Sequence, residues 1–212
     1  MVDIFASRIA CTTYTFWKDK NQAVVVDPGY NIHGCLIEHL EKLGVNVAAV
    51  LLTHAHYDHT DGLEELLMKF PNAQTYISAD EFPDLDNPRM NLCTWSEWGK
   101  HDLTFVPKNI VQLLDGELIH VGGYDIKCLL TPFHTRGSMC FVVEEENALF
   151  SGDTLFYTTV GRTDLPSSKP KLMSSSLLKL VNLSKNYIVY PGHGPKTSLE
   201  REKKYNSYLR NI

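Results

Sequence analysis

The chain has 212 residues, 43% hydrophobic and 21% charged, with a formal net charge of −5. That length suits one globular domain over 1–212 with a sizeable core, and the acidic balance without any Lys/Arg block argues against a nucleic-acid partner. No apolar run approaches the ~20 residues that span a bilayer, and the start, MVDIFASRIACTTYTF, does not read as a signal peptide.

Residues 9–16 and 22–27 predict strands; the second, QAVVVD, is β-branched and stopped by Pro28-Gly29. Over 32–43, Ile32, Leu36, Leu40 and Leu43 fall at helical spacing, with Gly44 just past the end. VNVAAVLLT is a continuous apolar run, the pattern of a strand covered on both faces. A helix over 61–70 ends at Pro71, and a short strand follows at 74–78. The turn-rich, aromatic stretch EFPDLDNPRMNLCTWSEWGKHD predicts a partly helical excursion across the surface. Alternating segments at 117–121, 124–131, 139–144 and 147–151 predict the meander of a second sheet. Helix 172–183, strand 187–190 and helix 198–210 close the chain. Two sheets packed face to face with helices outside fit this order better than a doubly wound sheet, because the middle of the chain lacks helices between strands.

The five cysteines, Cys11, Cys35, Cys93, Cys128 and Cys140, are scattered and form no CxxC. They predict reduced, mostly buried thiols in a cytoplasmic protein, rather than a zinc ribbon or a disulfide framework.

The chemistry concentrates in His54-Ala55-His56-Tyr57-Asp58-His59, where a buried strand gives out and a helix begins. Strand periodicity sends His54 and His56 the same way; the chain then turns, and Asp58 and His59 face a neighbouring point. Nitrogen and carboxylate donors suit zinc, iron or manganese more than magnesium or calcium. Taken alone, the loop could also be a solvated polar turn with locally satisfied histidines. Three later segments, Thr131-Pro132-Phe133-His134-Thr135, Ser151-Gly152-Asp153-Thr154 and Pro191-Gly192-His193-Gly194, each set a His or Asp just beyond a strand in a turn. Loops at one edge of a sheet structure are where sites gather. Together the four segments supply five His and two Asp, the inventory of a two-metal site.

THAHYDHTDG, TPFHTRGS, SGDTLF and PGHGP, with Asp27-Pro28-Gly29 upstream, resemble the successive signature motifs of the metallo-β-lactamase superfamily. The likeness covers almost the whole chain. GDTLF followed by Gly161-Arg162-Thr163-Asp164-Leu165-Pro166 is similar to the small glyoxalase II-like branch. The resemblance implies a four-layer αββα sandwich of the α/β class. It implies that His54, His56 and His134 bind a first metal, that Asp58, His59 and His193 bind a second, and that Asp153 bridges them. The ions would be two divalent metals per chain, zinc before iron or manganese. It also implies hydrolysis of an acyl thioester such as S-lactoylglutathione by a metal-bridged hydroxide, with Asp58 orienting the nucleophile. Nineteen residues follow His193, where full-length glyoxalase II enzymes carry a further helical domain that recognises glutathione; glutathione recognition is therefore left open. Phe133 stands where the family usually has Gly, and is expected to narrow or reshape the pocket wall.

Arg162 has two readings of equal weight, a clamp for a substrate carboxylate or a structural partner of Asp164. Thr53 and Thr135 are expected to position histidines. Tyr57 lines the pocket or packs. Trp95, Trp98 and Phe105 are read as local core before lid, and Cys140 as a small buried hydrophobe. The expected partner is a small-molecule thioester or other acyl substrate, with neither nucleic acid nor membrane, and the oligomeric state is not legible. A mononuclear iron persulfide dioxygenase on the same fold is the first rival function, and a nuclease of the superfamily the second.

Overall fold

The structure, a computed structural model, describes residues 2–6, 11–29, 35–95, 105–210 and 212. The segment Ala23–Val26 (β3) explains the layering in miniature. All four of its side chains are buried; Val24 and Val26 enter one core, and Ala23 and Val25 enter another on the opposite face. Side chains alternate across a strand, so only a strand covered on both sides needs an unbroken apolar run.

Among the described residues, β1 (Val2–Ala6), β2 (Thr12–Phe16), β3, β4 (Val47–Leu51), β5 (Gln74–Ser78) and β6 (Ile110–Leu113) form a first sheet in that order. Pairing is antiparallel from β1 to β3 and parallel from β3 to β6. A second sheet runs β7 (Leu118–Val121), β8 (Tyr124–Leu130), β9 (Met139–Val143), β10 (Ala148–Gly152), β11 (Ile188–Pro191) and β12 (Thr197–Ser198). There only the β10–β11 pair is parallel.

The two sheets face each other across a core that includes Phe16, Leu51, Phe141 and Phe150, with Phe16 and Phe150 stacked at a centroid distance of 5.2 Å. Burying each such ring contributes about 1.5–3 kcal/mol. Helices α1 (Cys35–Leu43) and α3 (Leu63–Lys69) cover the outer face of the first sheet through Leu36, Leu40, Leu63 and Leu66. A single turn, α2 (Tyr57–Thr60), precedes α3. Helices α4 (Met173–Val181), α5 (Leu199–Tyr205) and α6 (Ser207–Arg210) cover the second sheet through Leu177, Leu180, Leu199 and Leu209. This is the αββα sandwich expected from the sequence.

Several local expectations change. β1 and β6 add an edge to each side of the first sheet where no strand was expected. The helix over 198–210 breaks at Asn206, which is extended (φ −78, ψ 118) and separates α5 from α6. The stretch after β5 is partly helical as expected, in 3-10 turns at Phe82–Asp84 and Cys93–Trp95, but its described part is anchored more deeply than a surface excursion, because Glu81, Asp84, Leu85, Asn91, Leu92 and Cys93 are all buried; residues 96–102 lie outside the described residues. Phe133 does not shape the pocket wall. It is fully buried in the outer core of the second sheet with Leu129, Cys140 and Leu155, because burying a whole ring outweighs leaving it at a polar cavity. Phe105 packs against the outer core of the first sheet, as expected. Trp98 and the side chain of Trp95 lie outside the described residues. Cys140 is buried as read, and so are Cys11, Cys93 and Cys128, whereas Cys35 is exposed. No described helix is long and apolar enough to cross a membrane.

Candidate metal centre

The sequence-derived residues are delivered by strand ends. β3 runs into Asp27, β4 into Thr53, His54 and His56, β8 into His134, β10 into Asp153 and β11 into His193, while α2 carries Asp58 and His59. The loops are cross-tied: the Gly192 amide donates to Gly152 O (2.9 Å), and the Met139 amide donates to Thr53 O (2.9 Å) across the two sheets.

Three sets of donor atoms lie within 4.8 Å of one another: His54, His56 and His134; Asp58, His59 and His193; and His54, His59 and Asp153. The first two are the sets expected for two ions. The third places Asp153 between them: its Oδ1 is 3.4 Å from His59 Nε2, and its Oδ2 is 3.4 Å from His134 Nε2 and 3.7 Å from His193 Nε2. Asp153 thus reaches both sets, with Oδ2 against His134 of the first and His193 of the second, and Oδ1 against His59 of the second.

The fit to metal ions rests on what these atoms lack. His54 Nε2, His59 Nε2 and Asp153 Oδ1 are buried and have no hydrogen-bond partner. Orphaned buried polar atoms are costly, and all three belong to the set that joins the two clusters. His56 Nε2 is also without a partner. Each of three rings has its other nitrogen committed: His54 Nδ1 to Thr53 Oγ1 (3.0 Å), His59 Nδ1 to Asp27 Oδ2 (2.9 Å) and His134 Nδ1 to Arg162 O (2.9 Å). A fixed Nδ1–H leaves Nε2 as a lone pair, the form a metal requires. Thr53 therefore orients a histidine as expected. Thr135 does so only indirectly, through Glu81 and Ser138.

Electrostatics agree. Burial, and then the neighbouring imidazoles, hold His54 well below the usual histidine range. Burial and His134 take His56 to about 3, so both stay neutral near pH 7. For His59, burial works downward, but Cys11, Asp58, Asp153 and Asp27 together raise it well above the usual value. A negative field that would hold a proton there equally favours a bound cation. Burial pushes Asp58 and Asp153 up, yet the surrounding imidazoles outweigh it and keep both carboxyls below the usual range.

The site opens into a cavity of about 550 Å³. Tyr57 lines it, with Leu92, Phe156, Val160 and Leu165 as its apolar wall. Arg162 also lines it, but its guanidinium is held by Asp164 (Nε–Oδ1 2.6 Å, Nη2–Oδ2 2.7 Å) at an exposed position. The guanidinium thus pairs with Asp164, and the Arg162 backbone also serves the site, since its carbonyl fixes His134. Gly161, just before it, must be glycine: an added Cβ would fall 1.9 Å from Asp153 O.

Reading the sequence missed Glu81. It is buried in the turn after β5 and accepts from the Ala55 amide (3.0 Å), between His54 and His56, and from Thr135 Oγ1 (2.9 Å) and the Gly137 amide (2.8 Å), beyond His134. It ties together the two loops that supply the first set. Burial pushes its carboxyl up to about 7, against the opposing pull of the Ala55 amide. A lone Glu in a turn-rich segment gives no sequence signal for this.

Comparison with known proteins agrees with this geometry. The family model for the metallo-beta-lactamase superfamily matches residues 7–193. The hydroxyacylglutathione hydrolase GloC of Haemophilus influenzae is 28% identical over 91% of this chain and 90% of its own. Among solved structures, the BLEG-1 B3 metallo-beta-lactamase superposes with a TM-score of 0.89 at 30% identity, covering 99% of both chains. TTHA1623 in a di-iron-bound form superposes with a TM-score of 0.82 at 29% identity, covering 96% of this chain and 98% of that one.

Proposed function

The chain belongs to the metallo-beta-lactamase superfamily of metal-dependent hydrolases, and from that membership we propose that it is a dinuclear hydrolase of acyl thioesters, glyoxalase II-like in its chemistry. The observation that carries this is the placement of Asp153 between two donor sets, its carboxylate within 3.7 Å of His134 in the first and of His59 and His193 in the second. His54, His56 and His134 would hold one divalent ion, Asp58, His59 and His193 the other, and Asp153 would span them. Zinc fits the nitrogen-rich first set, and iron fits equally well; TTHA1623 carries two irons. A metal pair supplies Lewis acidity at a carbonyl oxygen and makes water acidic enough to react near neutral pH.

The chain's own residues do the rest. Asp58 accepts a hydrogen bond from the attacking water and aims it at the carbonyl carbon. Leu92, Phe156, Val160 and Leu165 give the cavity an apolar lining that disfavours water. Asp58 and Asp153 are the only carboxyl groups in the lining, both are proposed ligands, and a leaving group that departs as an anion asks no proton of the remaining Tyr57 and Thr159 hydroxyls. A thiolate departs without that help, since a free thiol ionises near pH 8.5. The kinship to GloC points the same way.

The likeness to BLEG-1 favours β-lactam hydrolysis as the second reading, in which the departing nitrogen needs a proton. Metal analysis of the purified chain, followed by assays on S-lactoylglutathione, simpler thioesters, a lactone, a β-lactam and a phosphodiester, separates the readings. Two ions per chain with thioester cleavage fastest is the expected result. One iron per chain with oxygen uptake on glutathione persulfide would sink the hydrolase.

A further inference from the structure

The hairpin that closes the apolar side of the cavity is built against its own preferences. Leu155 and Val160 form an isolated antiparallel bridge, and the Phe156 amide donates to Thr159 O (3.0 Å). At the tip, Thr158 is forced to φ +63, a left-handed conformation costly for a β-branched residue. Such strain persists only where the surroundings impose it, and here they are the last two helices. Glu202 on α5 accepts from the Thr158 amide (2.8 Å). Asn206, at the break between α5 and α6, donates to Thr159 O (3.1 Å). Arg201 lies 3.8 Å above the Tyr157 ring. Both Glu202 and Asn206 are fully buried, so these are not incidental surface contacts.

The chemistry of the clamp is specific to a carboxylate. Glu202 is ringed by hydrogen-bond donors: the Thr158 amide, Thr197 Oγ1 (2.7 Å), Arg201 Nη1 (2.7 Å) and Asn206 Nδ2 (3.1 Å). The Asn206 amide cannot turn round to help, because its Oδ1 already accepts from the Tyr208 amide (3.1 Å). A glutamine would aim its own N–H groups at donors.

We infer that Glu202, with Arg201 and Asn206, is a specificity-determining clamp: it holds the Phe156–Val160 hairpin as the wall against which an apolar acyl arm of the substrate lies. This rests on the proposed acyl-thioester reading. Phe156, Val160 and Leu165 face the cavity on this side, whereas the exposed Arg162–Asp164 pair marks its polar mouth. An apolar acyl chain therefore lies inward and a polar leaving group outward. The clamp positions and does not react.

The test uses the metal-loaded full chain and two probe pairs: acetate against hexanoate in calorimetric titration, and acetyl against hexanoyl thioesters of N-acetylcysteamine in turnover. Wild-type protein should favour the six-carbon member at least ~10-fold in each, because added methylenes in an apolar pocket discriminate by about that factor or more. Glu202→Gln should shrink the preference to within about 2-fold, the change falling on KM for the hexanoyl substrate rather than on kcat, with metal content unchanged. Arg201→Ala, a milder change at the edge of the clamp, should move the ratio the same way and keeps the test valid if Glu202→Gln does not fold. No chain-length preference in wild type, or an undiminished one in the variants that fold, overturns the inference. A hexanoate preference that the variants lose, with no thioester cleaved, sinks the thioester reading and leaves the clamp standing.

Discussion

Asp27 Oδ2 lies 2.9 Å from His59 Nδ1 and 2.7 Å from Thr53 Oγ1, at a backbone φ of +48 that Asp and Asn tolerate better than most residues. One carboxylate thus fixes the tautomer of a second-set histidine and, through Thr53, the ring of first-set His54.

Asp27→Asn keeps the backbone and the shape but presents an amide N–H to His59 Nδ1. The ring then does best with its proton on Nε2, the atom that faces Asp153. Affinity for the second ion should fall about 10–100-fold, with the circular dichroism spectrum unchanged. Competition against a chelator measures this, and wild-type affinity for both ions would refute the tautomer argument.

Glu81 is the corresponding tie for the first set. Glu81→Ala leaves the Ala55 and Gly137 amides and the Thr135 hydroxyl without their acceptor, at a cost of about 3 kcal/mol or more. Glu81→Gln keeps an acceptor for Ala55 but turns an N–H toward Gly137, and should cost about 1 kcal/mol. Urea unfolding of the metal-free chain should rank them in that order. A Glu81→Ala protein as stable as wild type would show that the two loops are held by something else.

How legible the site was depended on what kind of residue does the work. The seven proposed ligands stood out because a His or Asp just past an apolar strand is unusual, and four such places in one chain are more so. Glu81 and Glu202 did not. Glu202 lies in LEREKKY, whose other charged residues are of the kind that face solvent, and only tertiary packing turns it inward. Phe133 misled for a related reason: a ring beside a proposed ligand fits a pocket wall and a core equally well until the neighbouring helices are placed. β3 and β4 were legible because burial on both faces leaves an unbroken apolar run. β1, with half-buried and exposed residues, left no such trace.

The metal-free chain should lose stability in acid through its neutral histidines. His56 titrates near 3 in the fold, against about 6.5 unfolded. Between those values the unfolded chain binds more protons, so stability falls as pH drops from about 6.5 toward 3. From pH 7 to pH 5 this residue should account for a loss of about 2 kcal/mol. Denaturation of wild type and His56→Asn at both pH values checks this; parallel pH dependence in the two proteins would contradict it.

Gly192 is the tightest approach at the second set. A Cβ there would sit 2.3 Å from Asp153 Oδ1 and 2.6 Å from His59 Cε1. Gly192→Ala should therefore displace the Asp153 carboxylate or the His59 ring, and metal content should drop below two per chain while the fold is kept. Elemental analysis showing two ions in this variant would mean that the β11 loop yields instead.

Asp58 offers the sharpest division between a two-ion and a one-ion enzyme. Its Oδ2 is 3.1 Å from His193 Nε2 and 3.8 Å from His59 Nε2. Burial pulls His193 down, and the hydrogen bond it donates to Asp58, together with the charges of Asp153 and Asp58, more than reverses this. Removing the carboxylate takes away a ligand, the charge beside two others and the group that aims the water, while leaving the first set intact. Asp58→Ala should stay folded, retain one ion and lose at least ~100-fold in turnover, about 2.7 kcal/mol of barrier. Its side chain is partly exposed on a single helical turn, and circular dichroism checks that the variant stays folded. Turnover at the wild-type rate with one ion bound would refute the two-metal mechanism, and it would place the chemistry on His54, His56 and His134 alone.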